Sequence, residues 1–349
     1  MQPPLTLPAA ASPSLTLLLC LLAFLSSQII QKVIAAPANS TVPPAVLAFG
    51  DSLVDTGNNN YLPTVVTANV PPYGRDFLGG IPTGRFSNGK VPPDLIVEAL
   101  GIKELLPPYL DPNLSMQDLL TGVNFASGGA GYDPLTSKTE TAMTSSDQLK
   151  LLEEYIEKLK GEIGEERSKS IVSESLYMLC FGSNDMTNYF ATPLRRWQYD
   201  ISSYTDILVQ FASTFVQELY RLGARRIVVF GIPPIGCIPS QRTIGGGETR
   251  LCEQKRNQAA MLFNSKLSSQ LNLLNNKLPQ AMLLYNDIYN SVLDLIQNPH
   301  KYVTNILCNG NPFTCTDTTK YIFWDSYHPT EKTFRIILTP ILKYLNNLF

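Results

Sequence analysis

Five short apolar runs, at residues 45–49, 122–126, 176–181, 226–230 and 281–285, set the strongest constraint on how this 349-residue chain folds. Each is nearly continuously apolar or β-branched rather than alternating. That is the pattern of strands buried on both faces, as in a parallel sheet covered by helices. The stretches between them carry a helical period. Residues 147–160 place Leu149, Leu152, Ile156 and Leu159 on one stripe, with Asp147 near the start. Residues 204–222 and 252–278 are longer helical patterns, Gly223 follows the first as a stop signal, and 329–345 reads as a final helix. Alternating strand and helix predicts one doubly wound α/β domain, with no internal repeat and no interdomain linker. The Pro/Gly-rich stretch 71–89 is expected to be a long surface loop, and loops of that size are often functional.

In open parallel sheets, ligands bind at the carboxyl ends of the strands. The unusual residues of this chain fall there. Gly50-Asp51-Ser52 follows the first run, "SGGAG" (127–131) the second, and "GSND" (182–185) the third. Two readings of Ser52 stand: a turn serine bonded to backbone, or a nucleophile held at the mouth of the sheet. A nucleophile needs a base, a residue that orients the base, and donors for the oxyanion. His300 and His328 are the histidines of the chain. His300 follows "LIQNP" in a charged, loop-like context and reads as solvent-facing. His328 lies in "FWDSYHPTE", with Asp325 three residues before it. On a tight turn that spacing lets the carboxylate reach Nδ1–H and leaves Nε2 free to take the serine proton. A satisfied structural histidine is the competing reading. The oxyanion donors would be the N–H groups of Ser52 and of the glycine turn, together with the Asn184 amide. Gly129 would let the backbone approach substrate with no Cβ in the way. Asn184 also suits a helix cap.

The N-terminus reads as a targeting segment. The apolar run 15–25 is too short to span a bilayer, small residues follow it, and Ala36 and Ala38 fit an A-x-A cleavage pattern. The expected division is a signal peptide over 1–38 and a single domain over 39–349. No Lys or Arg precedes the run, which departs from the usual signal. Secretion makes local disulfides reasonable for the close pairs Cys237/Cys252 and Cys308/Cys315, and leaves Cys180, in "LYMLCFG", as a buried free thiol. Asn39 and Asn113 open glycosylation sequons. With no C-x-x-C and so few histidines, no metal site is expected. The net charge of -2 argues against a nucleic-acid surface or a polybasic membrane patch.

Two motifs mislead. "GRFSNGK" (84–90) has the spacing of a phosphate loop, but Val91 stands where Ser or Thr should hold magnesium, and the segment lies in the long loop. There is no G-x-S-x-G, so the nucleophile elbow of the α/β-hydrolases is absent.

Taken together, "FGDSLVDTGNNN", "PPYGRDF", "PTGRFSNGK", "GVNFASGGAGY", "FGSNDMTNYF", "GIPPIGCIP" and "FWDSYHPTEK" resemble, in order and over about 44–345, the plant GDSL esterase/lipases of the SGNH hydrolase superfamily. The resemblance implies a three-layer α/β/α sandwich with a five-stranded parallel sheet, similar to flavodoxin-like domains. It implies Ser52 as nucleophile, His328 as base and Asp325 as its orienter. The oxyanion glycine falls on Gly129, with Gly128 the alternative, and Asn184 matches the asparagine of the family. No cofactor or metal is implied, and the substrates are small carboxylic esters, of acyl lipids or aryl alcohols. One departure stands out. Family members usually carry a Cys-Cys-Gly segment before the next cysteine, whereas "NPHKYVTNILCNG" runs straight through, as if about a dozen residues were missing. That leaves the Cys308 pairing open and puts the Asp325–His328 geometry most at risk.

The expectation is therefore an extracellular serine esterase of the cell wall space, with no stable membrane insertion after signal removal. An acyltransferase on lipid or polymer alcohols is one alternative. A catalytically inactive binding protein, a consequence of the shortened approach to Asp325, is the other. Acyl length, alcohol and oligomeric state are not encoded in these patterns.

Overall fold

The computed structural model describes residues 42–302, 305–310 and 313–345. The expected signal peptide over 1–38 and the Asn39 sequon lie outside the described residues. Four parallel strands form the main sheet in the order β1 (Val46–Gly50), β2 (Leu176–Cys180), β3 (Arg226–Phe230), β4 (Met282–Asn286). Because side chains alternate along a strand, the unbroken apolar runs supply both faces. Leu47, Phe49, Tyr177, Leu179, Ile227 and Val229 share one buried cluster; Val46, Ala48, Met178, Cys180, Val228 and Phe230 share another.

Helices cover both faces. On the first side lie α2 (Ser145–Ile163), α4 (Ile201–Arg221) and α5 (Gln254–Lys277); on the second lie α1 (Pro92–Ala99), α6 (Tyr289–Gln297) and α7 (Glu331–Leu345). A further helix, α3 (Ser183–Ala191), starts directly after β2. The result is an α/β/α sandwich. Helix starts fall where side chains satisfy the first free N–H groups. Thr144 and Asp147 form a reciprocal capping box, so α2 begins two residues before the periodic stripe. Asp200 accepts from Ser203 N–H at 2.8 Å to start α4. The last helix starts at Glu331 rather than at 329, since Pro329 pairs with Phe323 across an antiparallel bridge.

The run 122–126 is a correction to the five-stranded sheet. It lies parallel to β1, with Phe125 N–H donating to Ala48 C=O at 2.8 Å and Ser127 N–H to Gly50 C=O at 3.0 Å, yet it forms an isolated bridge and not a strand. The reason lies in the hydrogen bonds around Gly50 and Asn124. Gly50 N–H, which would extend the ladder, donates to the buried Gln148 side chain at 3.0 Å, and Gln148 returns a 2.9 Å bond to Gly50 C=O. Asn124 turns its own carbonyl oxygen onto Ala126 N–H at 2.7 Å.

The stretch 71–89 is also not wholly a surface loop. Residues 84–89 are buried. Arg85 makes a two-pronged ion pair with Asp94, at 2.7 and 2.8 Å, inside the fold. The glycine-and-lysine spacing that mimics a phosphate loop thus serves as an internal staple. The disulfides join Cys237 to Cys252 and Cys308 to Cys315, and Cys180 is a buried free thiol. Asn113 is exposed, as a sequon requires.

Candidate active site

The first strand ends in a turn built by Asp51. Its N–H donates to Cys180 C=O at 3.0 Å, its C=O accepts from Val54 and Asp55, and its Oδ1 accepts from Leu53 N–H at 3.0 Å. Gly50 has to be glycine here, because a Cβ would lie 2.3 Å from Cys180 C=O. This turn projects Ser52 into a cavity, 8% exposed. Its hydroxyl meets no backbone partner among the described residues; Oγ lies 2.8 Å from His328 Nε2.

His328 comes from the other end of the chain, on the turn between β5 (Tyr321–Phe323) and α7. Asp325 makes that turn. Its Oδ1 accepts from the N–H groups of Tyr327 and His328, each at 2.7 Å, while Oδ2 lies 2.7 Å from His328 Nδ1. One carboxylate therefore shapes the turn and fixes the ring so that Nε2 faces Ser52. Burial pushes the Asp325 carboxyl up, but His328 beside it and these N–H donors hold it below its usual value. His300 lies exposed and takes no part.

The glycine turn is the third component. Two buried carboxylates pin it, Asp55 accepting from Gly128 N–H at 3.0 Å and Asp185 from Tyr132 N–H at 2.8 Å. Between them Ala130 N–H donates to Ser127 C=O and Gly131 N–H to the Ser137 hydroxyl. Gly129 N–H meets no acceptor among the described residues, nor does Ser52 N–H. Both residues line the same cavity as His328 and Asn184. This separates the two candidate glycines, since Gly128 N–H is already engaged. Gly129 has φ 88°, and a Cβ there would meet Glu140 Cβ at 2.8 Å. Asn184 donates one amide N–H to Ala130 C=O at 2.9 Å, which orients the group and leaves its second N–H unused.

The same sequence pattern runs through known proteins. The profile of the GDSL-like lipase/acylhydrolase family matches residues 46–341. The GDSL esterase/lipase EXL3 of Arabidopsis thaliana is 48% identical over 322 residues, 88% of this chain and 88% of its own length. The Arabidopsis GDSL esterase/lipase EXL2 is 46% identical over 334 residues, 87% and 88%. This chain belongs to the GDSL family. It is a carboxylic ester hydrolase, and its substrates are small-molecule esters. Among solved structures, an extracellular lipase from Streptomyces rimosus aligns with 13% identity and a TM-score of 0.38, over 86% of this chain and 99% of that one. The family assignment rests on the sequence relatives.

Several groups in the GDSL site are invisible to spacing rules. The stretch 71–90 clamps the segment that bears His328. Tyr73 donates to Asp325 Oδ2 at 2.8 Å, Arg75 to Thr316 C=O at 3.2 Å, and Ser87 to Pro329 C=O at 3.0 Å; Asn88 accepts from Glu331 N–H at 3.0 Å. The Phe86 ring lies 5.1 Å from the imidazole. These bonds hold the turn even though its approach is short. Asp51 and Asp185, both buried, are pushed up by burial to about 7, and Asp55, likewise buried, to about 6. Among the described residues no His, Cys, Asp and Glu group together as metal ligands, and no helix is long and apolar enough to cross a membrane.

Proposed function

We propose that the chain is a secreted serine esterase in which Ser52 attacks an ester carbonyl. His328 Nε2 takes the hydroxyl proton as the C–O bond forms, and Asp325 stabilises the imidazolium. The oxyanion accepts from Ser52 N–H, Gly129 N–H and the Asn184 amide. Collapse of this intermediate expels the alcohol, which leaves with the proton from His328. Water, deprotonated by the same ring, then attacks the acyl-Ser52 ester and releases the acid and the free serine. The observation that carries this reading is the pair of unengaged N–H groups, Ser52 and Gly129, on the same cavity as a serine hydroxyl 2.8 Å from an oriented imidazole. In this reading residues 1–38 are removed on secretion, 39–349 form one mature domain, Asn39 and Asn113 carry glycans, and both disulfides form in the oxidising compartment.

Hydrolysis of short- and medium-chain nitrophenyl esters tests it. Relative to the native protein, folded Ser52→Ala protein should lose at least about a thousandfold in kcat/KM. Equal rates in the two proteins would place the nucleophile elsewhere. Free acid as the sole product with glycerol present would exclude acyl transfer.

A further inference from the structure

The cavity that begins at Ser52 does not stay at the surface. It has a volume of about 360 Å³ and passes from the catalytic turn into the layer between the sheet and helices α6 and α7. Met178 of β2 and Phe230 of β3 line it from the sheet; Val292 of α6 and Phe334 and Leu338 of α7 line it from the helices. Each of these is at most 4% exposed, and all belong to the same core cluster. An unfilled volume walled by core side chains forfeits dispersion contacts on every side. Its wall chemistry is sorted by position. Around the mouth stand Asn184, Thr187, Asn188 and Glu140, while the inner part is aliphatic and aromatic apart from the buried Asp51, Cys180 and Gln241.

Resting on the esterase reading, we infer that this internal channel is the acyl-binding site and that its closed end sets the preferred chain length. A linear hydrocarbon attached to the carbonyl held over Ser52 fits the mostly apolar lining. An aryl or polar acyl group gains less there. Each methylene that enters should raise kcat/KM by up to about fourfold until the channel is full. Longer chains then have to leave their ends in water or strain the wall.

The test is a nitrophenyl ester series from acetyl to hexadecanoyl with the native full-length chain and with Val292→Trp and Leu338→Ala. Native kcat/KM should rise with chain length until the channel is full and then fall. Val292→Trp should lower the dodecanoyl-to-acetyl ratio of kcat/KM at least tenfold, and Leu338→Ala should move the optimum to longer chains. If the tryptophan variant does not fold, the alanine variant decides alone. Ser52-dependent hydrolysis whose chain-length profile neither variant alters would overturn the channel and leave the esterase intact. Absence of all hydrolysis would instead remove the esterase, and calorimetry of dodecanoic acid with the same proteins would then judge the channel. Binding weakened at least tenfold by Val292→Trp upholds it as an acyl site, and no binding to the native chain sinks it.

Discussion

The two faces of one sheet are built from alternate residues of the same strands, yet one is solid and the other hollow. On the solid side Phe49 stacks on Phe125 at 4.9 Å and meets Phe215 edge-on at 5.7 Å, and Phe181 meets Phe215 at 5.5 Å. Such pairs add to what burial alone contributes. On the hollow side Met178, Cys180 and Phe230 face the cavity that opens at Ser52. The difference teaches how this fold divides labour. Long helices and stacked rings on one side hold the strands in register, which lets the other side leave a hollow beside the Ser52 turn.

Truncation on the two faces should break that comparison most visibly. Phe49→Ala should cost about 3–5 kcal/mol in urea unfolding, the range for a large aromatic in a packed core. Met178→Ala should cost about 2 kcal/mol, at the lower end of core truncations, because one side of Met178 already lacks packing partners. Equal costs would mean that the hollow face is packed as tightly as the solid one.

A smaller effect should come from the carboxyl at the mouth. Asp51 is 1% exposed, its Oδ2 has no hydrogen-bond partner, and burial pushes its pKa up to about 7. Its folded value exceeds its unfolded one, so the folded state binds the extra proton. The stability it contributes is full below the ordinary carboxylate range and is lost as pH rises towards 7. Asp185, raised by burial in the same way, adds to this trend, and His328 and Cys180 face the same region. Asp51→Asn keeps an acceptor for Leu53 N–H and removes the titration. Between about pH 4 and about pH 8 the variant should lose less stability than the native chain, by up to about 3 kcal/mol. Identical pH slopes would show that Asp51 is ionised at little cost.

The smallest expected effect sharpens the picture of the mouth. Tyr73→Phe removes one hydrogen bond from Asp325 and leaves the two N–H donors to its other oxygen. A fall in kcat of about tenfold with little change in KM is expected, since a hydrogen bond to a charged carboxylate contributes about 1.5 kcal/mol or more and acts through His328 orientation. A change confined to KM would make Tyr73 a substrate contact instead.

The elements were legible because their signals are local. Continuous apolar runs mark β1 to β4, and period-3.6 patterns mark the long helices, to within a few residues. The segment 122–126 was not, because Gln148 takes the hydrogen bond that would have extended its ladder, and Gln148 lies 98 positions from Gly50. Ser52, Asp325, His328 and Asn184 stood out by motif, spacing and the scarcity of histidine; the fold brings Ser52, His328 and Asn184 to one cavity, with Asp325 behind the imidazole. Tyr73 did not stand out: nothing near it in sequence marks a partner 252 positions away.

The sequence by itself therefore determined the strands, the helices, the alternation that buries both sheet faces, and the short list of residues able to do ester chemistry. Those properties follow from neighbours along the chain and from side-chain chemistry. Only the tertiary structure decided which glycine N–H stays unengaged, how the 71–90 segment holds the His328 turn, and where the hollow lies. Each of these depends on which distant groups satisfy a hydrogen bond or fill a volume, and that is fixed when the layers pack.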